Sequence, residues 1–339
     1  MSETKYFPTV EAIDKASQVL DEILEPTPFQ RNANLSDIYD AEVYLKREDL
    51  QMVRSYKIRG AYNKIRTIDP ELMKNGIVCA SAGNHAQGVA FSCSKLKIMG
   101  SIFMPVTTPR QKIEQVRMFG KEFIEIILTG DTFDAANSAA IEYAQDNNKT
   151  FIPPFDDPKV MEGQGTIGRE IFNQSKEPLD YIFVPIGGGG LASGLGAYIS
   201  RMSPSTKIIG VEPGGAPCMK AAIENGGPIK LEHIDKFVDG AAVQLAGTHT
   251  YEVCRQVLDD IVVVPEGAVC TTIIHMYNKS AIVVEPAGAL AVAALKFYKE
   301  KIKGKRVACV VSGSNNDITR MEEIREKSLL YEGLKHYFI

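Results

Sequence analysis

The sequence has no long hydrophobic run and little net charge, and each absence excludes a class of protein. Its apolar stretches are all shorter than the roughly 18 residues that span a membrane. Its start, MSETKYFPTVEAIDKA, lacks the basic and apolar regions of a signal peptide. A net charge of −4 gives no basic surface for nucleic acid or for an anionic membrane. We therefore expect a cytoplasmic protein that acts on a small molecule, without nucleic-acid or membrane partners.

Cysteine and histidine are also sparse, which argues against disulfides and metal sites. The six cysteines include no C-x-x-C pair, and most lie in apolar stretches, so we expect buried free thiols in a reducing compartment. The five histidines show no H-E-x-x-H or related spacing, so we expect no metal site. The cysteines are Cys79, Cys93, Cys218, Cys254, Cys270 and Cys309.

Short apolar runs alternate with longer helical patterns, which is typical of the α/β fold class. The runs at 77–80, 181–186 and 307–311 are continuously apolar, as in parallel strands that are buried on both faces. Because 339 residues are too many for one compact core, we expect two domains, or one large α/β domain with an insertion, built on mostly parallel twisted sheets flanked by helices. The Pro- and Asp-rich stretch 147–160 suits a crossover between domains. Ligands should bind beyond the carboxyl ends of the strands.

A run of four glycines, GGGGLASG at 187–194, follows one of these strands and precedes a helix. Consecutive glycines let the backbone approach a ligand closely and direct several N–H groups at it, most often at a phosphate. A dinucleotide site is the rival interpretation. The run satisfies G-x-G-x-x-A, and Glu212 ends the next strand, close to where a ribose-binding acid would lie.

Two other strand-to-helix turns carry polar side chains. SAGNHAQG at 81–88 offers hydroxyl, amide and backbone N–H donors to an anion, although an ordinary capped turn has the same composition. SGSNND at 312–317 places Ser312 at the tip of a strand, within reach of a ligand in the crevice. VVEPAGA at 283–289 adds an acid before another helix, but it equally suits a Pro-initiated helix in the core.

The stretch RSYKIRGAYNKI at 54–65 places a lysine where a helix disfavours positive charge. Ser55 is the expected N-cap, and apolar residues then recur at helical spacing, so Lys57 falls in the first turn. The positive helix end and partial burial both disfavour the ammonium form and lower the pKa of Lys57. A neutral lysine amine can form a Schiff base. The alternative without a function is a solvated lysine that extends from the first turn into water.

Taken together, these segments resemble the fold-type II pyridoxal-phosphate enzymes, and within them the threonine dehydratase and serine dehydratase/racemase family. The match is collinear from about residue 20 to residue 320. It implies a two-domain fold-type II architecture, with a large cofactor-binding domain of 1–70 and 156–320, a small domain of 71–155, and a tail or linker of 321–339. The motifs that carry the resemblance are RSYKIRGAYNKI, ASAGNHAQGVA, EGQGTIGREI, GGGGLASG, EPAGALA and SGSNND.

The resemblance assigns a role around pyridoxal 5'-phosphate to each matching residue. It makes Lys57 the Schiff-base lysine, which also moves the proton at the substrate α carbon. Asn84 is then the partner of the cofactor ring hydroxyl, and Ser312 contacts the pyridine nitrogen. Tyr56 packs against the ring, where the family usually has phenylalanine. The phosphate is bound through the backbone N–H groups of Gly187, Gly188, Gly189, Gly190 and Leu191. The substrate loop consists of Ser81, Ala82, Gly83, Asn84 and His85.

The reaction that the resemblance implies is β-elimination of L-threonine to 2-oxobutanoate and ammonia, the first step of isoleucine biosynthesis. Conversion of L-serine to pyruvate is expected as a second reaction, because the two substrates differ by one methyl group. Serine dehydratase and serine racemase are the alternatives within the family. Racemases resemble S-S-G-N-H at the asparagine turn, whereas Ala82 here has no proton to give. Cys218 stands where the racemase cation site has Asp, so we predict no magnesium.

Two alternatives come from other classes. An NAD-dependent dehydrogenase would use the loop 187–190 with Glu212 and would give Lys57 no special role. An amino-acid-binding sensor on the same scaffold would bind its ligand without Lys57.

The C-terminal segment and the assembly raise further expectations. Residues 329–339 are apolar and strand-like, and with the preceding residues they resemble the linker to the ACT-like regulatory domain of biosynthetic members of the family. We therefore expect a catalytic portion that lacks most of that domain. Members of the family are commonly homodimers or homotetramers, and we expect the same of this chain.

Overall fold

Two mainly parallel sheets form the framework of the molecule. The structure is a computed structural model, and it describes residues 6–337. Its strands are β1 (Phe29–Arg31), β2 (Glu42–Arg47), β3 (Ile77–Ala80), β4 (Gly100–Met104), β5 (Ile124–Leu128), β6 (Thr150–Phe151), β7 (Tyr181–Pro185), β8 (Lys207–Pro213), β9 (Asp260–Val264) and β10 (Arg306–Val311). One sheet has the order β1-β2-β10-β7-β8-β9, and the other has the order β5-β4-β3-β6.

The pairing within the sheets confirms the predicted α/β class. Among the described strands, only β1 pairs antiparallel, with β2 at the edge of the larger sheet. β10 lies in the interior between β2 and β7, with Val307 opposite both Val43 and Tyr181. All residues of β3 and all but the first of β7 and β10 are buried, as continuous apolar runs require when helices cover both faces.

Helices cover the sheets, and short 3₁₀ turns occur at Glu48–Leu50, Lys121–Phe123 and Ile318–Arg320. No helix within residues 6–337 is both long and apolar enough to cross a membrane. The helices are α1 (Val10–Leu20), α2 (Ala33–Tyr39), α3 (Lys57–Arg66), α4 (Pro70–Met73), α5 (Asn84–Leu96), α6 (Arg110–Gly120), α7 (Phe133–Asp146), α8 (Pro158–Gln174), α9 (Gly190–Met202), α10 (Cys218–Asn225), α11 (Thr248–Val257), α12 (Glu266–Ser280), α13 (Pro286–Ala293), α14 (Leu295–Ile302) and α15 (Met321–Tyr331).

A buried ion-pair network fixes α3 against β2 and α8. The Arg59 guanidinium bonds to Glu48 at 2.8 Å and to Glu170 at 2.6 Å, and Glu170 also pairs with Lys46. Arg59, Glu48 and Lys46 are each at most 1% exposed. Because a buried charge is costly when it loses its partner, this network fixes the position of the first turn of α3, which begins at Lys57.

The two sheets occupy separate stretches of the chain. Every strand of the four-stranded sheet lies within 71–155, and every strand of the six-stranded sheet lies within 1–70 or 156–320. The predicted domain boundaries themselves stay a prediction. The predicted crossover, 147–160, contains β6 and then runs to the N-terminus of α8, where the Asp157 carboxylate caps the backbone N–H groups of Lys159 and Val160.

One expectation about the C-terminal segment is wrong. Residues 329–331, predicted to be strand-like, form the last part of α15. This helix packs on α12, and Tyr331 lies so close to Gly267 that a Cβ there would overlap its side chain. Tertiary packing on one face, rather than alternation along the chain, decides the conformation here. Phe338 and Ile339, also part of that prediction, lie outside the described residues.

The cysteines are where the sequence placed them. All six are free thiols, and all six are buried. Burial raises the pKa of the Cys93 and Cys270 thiols to about 12, so these groups stay protonated and unreactive.

Candidate active site

A small cavity lies where turns from both sheets meet, beyond the carboxyl ends of β3, β7 and β10. It brings together five of the residues that the sequence singled out, from segments far apart in the chain. This is the position expected for a ligand site in parallel α/β sheets. The cavity is lined by Tyr56, Lys57, Asn84, Pro185, Gly187, Gly240, Ala241, Glu285, Ala287 and Ser312.

Lys57 is the first residue of α3, as predicted. Its Nζ donates to the backbone carbonyl of Pro154 at 2.8 Å and lies 5.4 Å from the centre of the Tyr56 ring. Burial lowers the pKa of Lys57 to about 8, and the nearby Glu285 carboxylate only partly opposes that shift. The shift has the direction expected from the sequence, and such an amine is nucleophilic at mildly alkaline pH.

A short backbone pairing joins the segment before Lys57 to the tip of β10. Ser55 and Gly313 form an isolated antiparallel bridge, and the backbone N–H of Tyr56 donates to the carbonyl of Ser312 at 3.1 Å. This pairing brings the lysine and Ser312 to the same cavity. The prediction that Ser55 caps α3 is wrong, because Tyr56 occupies the N-cap position and the buried Ser55 hydroxyl has no hydrogen-bond partner among the described residues.

The glycine turn presents a row of free donors at the N-terminus of α9. None of the backbone N–H groups of Gly187–Leu191 bonds to another described residue, because the first turn of a helix has no carbonyls behind it. Converging N–H groups at the positive end of a helix bind anions, and phosphate above all.

Packing requires glycine at each of the four positions. A Cβ at Gly188 would overlap the Phe155 ring, and a Cβ at Gly190 would lie 3.0 Å from Cβ of the same residue. A Cβ at Gly187 would lie 3.1 Å from the Cα of Ala241. Gly189 has a φ of +94° and would place a Cβ 2.9 Å from the side chain of Thr250. This turn, a cradle of backbone N–H groups, is therefore covered on one side by other parts of the chain. A ligand can contact it only through its backbone.

The turn after β3 is built differently. Ser81 Oγ accepts from the backbone N–H of Gly83 at 3.1 Å, so this hydroxyl stabilises its own turn. Nothing lies within 4 Å of a Cβ built at Gly83, so open space adjoins that backbone. Ala82 is partly buried beside it. Of the five predicted loop residues, only Asn84 lines the cavity.

His85 is held away from the cavity, in the interior. Its Nε2 lies 2.9 Å from the carbonyl oxygen of Ile152, and a carbonyl can only accept, so Nε2 carries the proton. Burial, with a further contribution from the charge of Lys57, lowers the pKa of His85 to about 3. His85 is therefore neutral near pH 7 and connects the turn to the crossover.

Glu285 is the lining residue that the sequence analysis did not assign to the site. It precedes the fully buried helix α13, and its Oε1 accepts from Asn84 Nδ2 at 2.7 Å across 201 positions in the chain. Burial raises the pKa of Glu285 to about 7, with the charge of Asp239 adding to the effect. The signal in the sequence was an acid in an otherwise apolar run. α13 is thus the Pro-initiated core helix that VVEPAGA suggested, and the carboxylate of its N-cap residue Glu285 reaches the cavity.

Glu212, the acid of the rival dinucleotide interpretation, is already occupied. It is fully buried, and its carboxylate accepts from the backbone N–H groups of Met219 and Lys220 at 2.7 and 2.9 Å. It thus stabilises the N-terminus of α10. The Cys218 thiol, beside it, donates to the carbonyl of Gly187 at 3.4 Å. Both carboxylate oxygens of Glu212 are therefore engaged in the interior, which argues against a ribose-binding role.

A phosphate-type cradle, a lysine with a lowered pKa and two polar side chains on one cavity are combined in one known group of enzymes, and the family comparison agrees. Residues 20–313 match the model of the pyridoxal-phosphate dependent enzymes. The chain belongs to this family. Pyridoxal phosphate is therefore its cofactor. The residues present suit it, because the glycine turn offers backbone N–H groups without a partner among the described residues and Lys57 can react with an aldehyde.

Similar proteins define the place of the chain within the family. A biosynthetic L-threonine dehydratase of Halalkalibacterium halodurans is 58% identical over 330 residues, which cover 97% of this chain and 80% of the relative. The solved structure of processed threonine deaminase isoform 2 from Solanum lycopersicum has a TM-score of 0.89 at 38% identity, and the match covers 95% of this chain and 91% of that one. The structure of maize serine racemase matches with a TM-score of 0.87 at 28% identity, and the match covers 97% of this chain and 100% of that one. The predicted fold-type II architecture is confirmed by these similarities.

Proposed function

We propose that the chain is a pyridoxal-phosphate dependent ammonia-lyase that converts L-threonine to 2-oxobutanoate and ammonia, and L-serine to pyruvate and ammonia more slowly. The observation that carries the proposal is the meeting of Lys57, Asn84, Ser312 and the glycine turn on one cavity. The names of the most similar relatives support threonine as the substrate. The name of the Halalkalibacterium halodurans relative describes it as biosynthetic, which suits isoleucine biosynthesis, the pathway that the family resemblance implies.

Each group around the cavity has a part in holding the cofactor. The backbone N–H groups of Gly187–Leu191 would bind its phosphate, because they have no partner among the described residues. The remaining N–H of Asn84 would donate to the ring hydroxyl. The Ser312 hydroxyl, which has no protein partner in the part of the chain described, would contact the pyridine nitrogen, and Tyr56 would pack against the ring.

Lys57 is the proposed catalytic residue. Pyridoxal phosphate, when bound, supplies an electron sink for the charge that develops at the substrate α carbon. Lys57 would hold the cofactor through Nζ, and as a free amine with a pKa of about 8 it would accept the α proton near neutral pH. Loss of the β hydroxyl as water, followed by uptake of one water, balances threonine against 2-oxobutanoate and ammonium.

The substrate carboxylate is proposed to bind at the turn 81–85. The open space beside Gly83 leaves its backbone accessible, and this turn opens α5 at the positive end of the helix. Racemisation is disfavoured because Ala82 has no group that could deliver a proton to the opposite face of the α carbon.

The assay that tests the proposal measures 2-oxobutanoate from threonine and pyruvate from serine with the purified, cofactor-loaded protein. We expect kcat/KM to be higher for threonine, and we expect no D-serine to accumulate from L-serine. A rate unchanged in Lys57→Ala, or a product other than a 2-oxo acid, would refute the proposal.

We further propose a cytoplasmic homodimer or homotetramer. The six buried free thiols suit a reducing compartment. Met52 and Met118, at 50% and 55% exposure, line the same surface hollow, and contiguous exposed apolar side chains are typical of interaction surfaces. Light scattering after gel filtration would give a monomer mass if this is wrong.

A further inference from the structure

The amide of Asn84 is held between two hydrogen bonds that each work in one direction only. Asn84 Nδ2 donates to Glu285 Oε1 at 2.7 Å, and Asn84 Oδ1 accepts from Asn315 Nδ2 at 2.7 Å. The amide nitrogen of Asn315 can only donate, so the atom of Asn84 that faces it is the oxygen, and the ionised Glu285 carboxylate can only accept from the NH₂ group on the other side. Rotating the Asn84 amide by 180° would place oxygen against oxygen and NH₂ against NH₂, so one orientation is fixed.

Asn315 is itself fixed from the other side. Its Nδ2 also donates to the backbone carbonyl of Val53 at 2.9 Å, so the nitrogen faces two oxygens. Its Oδ1 has no partner among the described residues, which is a cost that the opposite orientation would increase. A chain of directed hydrogen bonds therefore runs from Val53 through Asn315 and Asn84 to Glu285.

One hydrogen of Asn84 remains available. The NH₂ group carries two hydrogens in the amide plane, about 120° apart, and Glu285 takes one of them. The other has no partner within the described part of the chain, and Asn84 lines the cavity beside Lys57. The position of the Glu285 oxygen thus sets the direction in which the second N–H points.

Burial of the Glu285 carboxylate beside Asn84 is energetically unfavourable. It is 4% exposed, and no cation among the described residues lies within ion-pair distance of it. Its own backbone N–H donates to the carbonyl of Gly313 at 3.2 Å. A Cβ at Gly313 would overlap its carboxylate, and one at Gly240 would lie 3.5 Å from Oε1. Burial of an unpaired carboxylate is unfavourable, so its retention calls for a function.

We propose that Glu285 is a positioning residue that acts through Asn84, orienting its amide so that the second N–H points at the ring oxygen of the bound cofactor. This inference rests on the proposed function, because it takes the cavity to be the cofactor site. It also gives Asn315 a part, as the group that prevents the amide from turning.

The test measures cofactor binding rather than turnover. Apo protein is titrated with pyridoxal phosphate for wild type, Asn84→Ala, Glu285→Ala and the double variant. The dissociation constant and the absorption maximum of the lysine-bound cofactor are recorded. We expect each single variant to weaken binding about tenfold or more and to shift the absorption maximum. We expect Glu285→Ala to add less than a twofold effect in the Asn84→Ala background.

Equal effects of Glu285→Ala in both backgrounds would overturn the inference, since Glu285 would then act independently of Asn84. An unchanged dissociation constant and spectrum in Glu285→Ala would overturn it as well. Glu285→Gln keeps an accepting oxygen at the same reach without the charge and should bind the cofactor within about threefold of wild type. If Glu285→Gln fails as fully as Glu285→Ala, the charge rather than the orientation matters, and the inference is wrong.

The outcomes separate this inference from the proposed function. If the wild-type chain does not take up pyridoxal phosphate on Lys57, both are refuted. If the wild-type chain does so and Glu285→Ala matches it in affinity and spectrum, only the role of Glu285 is refuted.

Discussion

The two turns that meet at the cavity are both strand–turn–helix connections, yet one is closely packed and the other is open. The turn at 187–190 has no functional side chains and is closed from behind by Phe155 and Thr250. The turn at 81–85 leaves open space beside Gly83 and presents the Asn84 side chain, which donates a hydrogen bond to Glu285 at the start of α13. A rigid backbone turn suits the phosphate of a permanent cofactor. The open space beside Gly83 suits a substrate that enters and leaves, while Asn84 in the same turn is proposed to contact the cofactor ring.

Lys57 lies between the two turns, and its loss should have the largest effect. Lys57→Ala is expected to lower kcat for threonine by at least about 10³-fold, because the proton at the α carbon loses its acceptor. The thermal unfolding temperature should change little, since Lys57 makes one hydrogen bond to a backbone carbonyl. Steady-state assays and a thermal melt measure both quantities. Lys57→Arg, which keeps the charge, should be equally inactive, and activity in either variant would contradict the account.

Of the two turns, the glycine turn at 187–190 should tolerate substitution less well than the turn at 81–85. In Gly188→Ala the new methyl group meets the Phe155 ring, and relief of such overpacking costs about 1–3 kcal/mol. We expect cofactor affinity to fall about 10- to 100-fold, as measured by titration of the apo protein.

The matched control is the double variant Gly188→Ala with Phe155→Ala, which removes the obstacle. It should recover part of the lost affinity. If it binds no better than Gly188→Ala alone, the ring of Phe155 is not what closes the cradle.

The pH response of Lys57 sharpens the comparison further, because burial beside the two turns lowers its pKa to about 8. The amine should be charged below that pH and neutral above it, whereas an ordinary lysine titrates near 10.4. Trace acetylation of the apo protein across pH, followed by peptide mass analysis, should give half-maximal reactivity of Lys57 near pH 8. A midpoint at the ordinary lysine value would mean that the amine is solvated.

The open turn should tolerate change best. Gly83→Ala places a methyl group where nothing lies within 4 Å, so stability should change by less than about 1 kcal/mol. Cofactor affinity should be retained, while KM for threonine should rise several-fold because the methyl group enters the proposed carboxylate site. Cofactor titration and steady-state kinetics separate the two effects. A loss of cofactor binding as large as in Gly188→Ala would remove the distinction between the turns.

Much of the framework could be predicted because its signals are local. Continuous apolar runs identified β3, β7 and β10, and the spacing after Tyr56 identified α3 with Lys57 at its start. The glycine run at 187–190 also predicted a close approach of the backbone to a ligand. These features depend on residues within one or two turns of each other, which a sequence displays directly.

The rest could not be predicted because it depends on contacts between distant segments. The Asn84–Glu285 hydrogen bond spans 201 positions, and nothing near Gly188 in the sequence indicates that Phe155 lies against it. Ser55 resembled a helix cap, but its backbone pairs with Gly313 instead. The apolar pattern at 329–331 suited a strand, yet packing on α12 stabilises a helix.

The central claim is that Lys57 carries the cofactor between the two turns. Borohydride reduction of the cofactor-loaded protein, followed by proteolysis and peptide mass mapping, tests it most directly. The account predicts a single pyridoxyl adduct, on Lys57. An adduct on a different lysine, or no adduct at all, would contradict it.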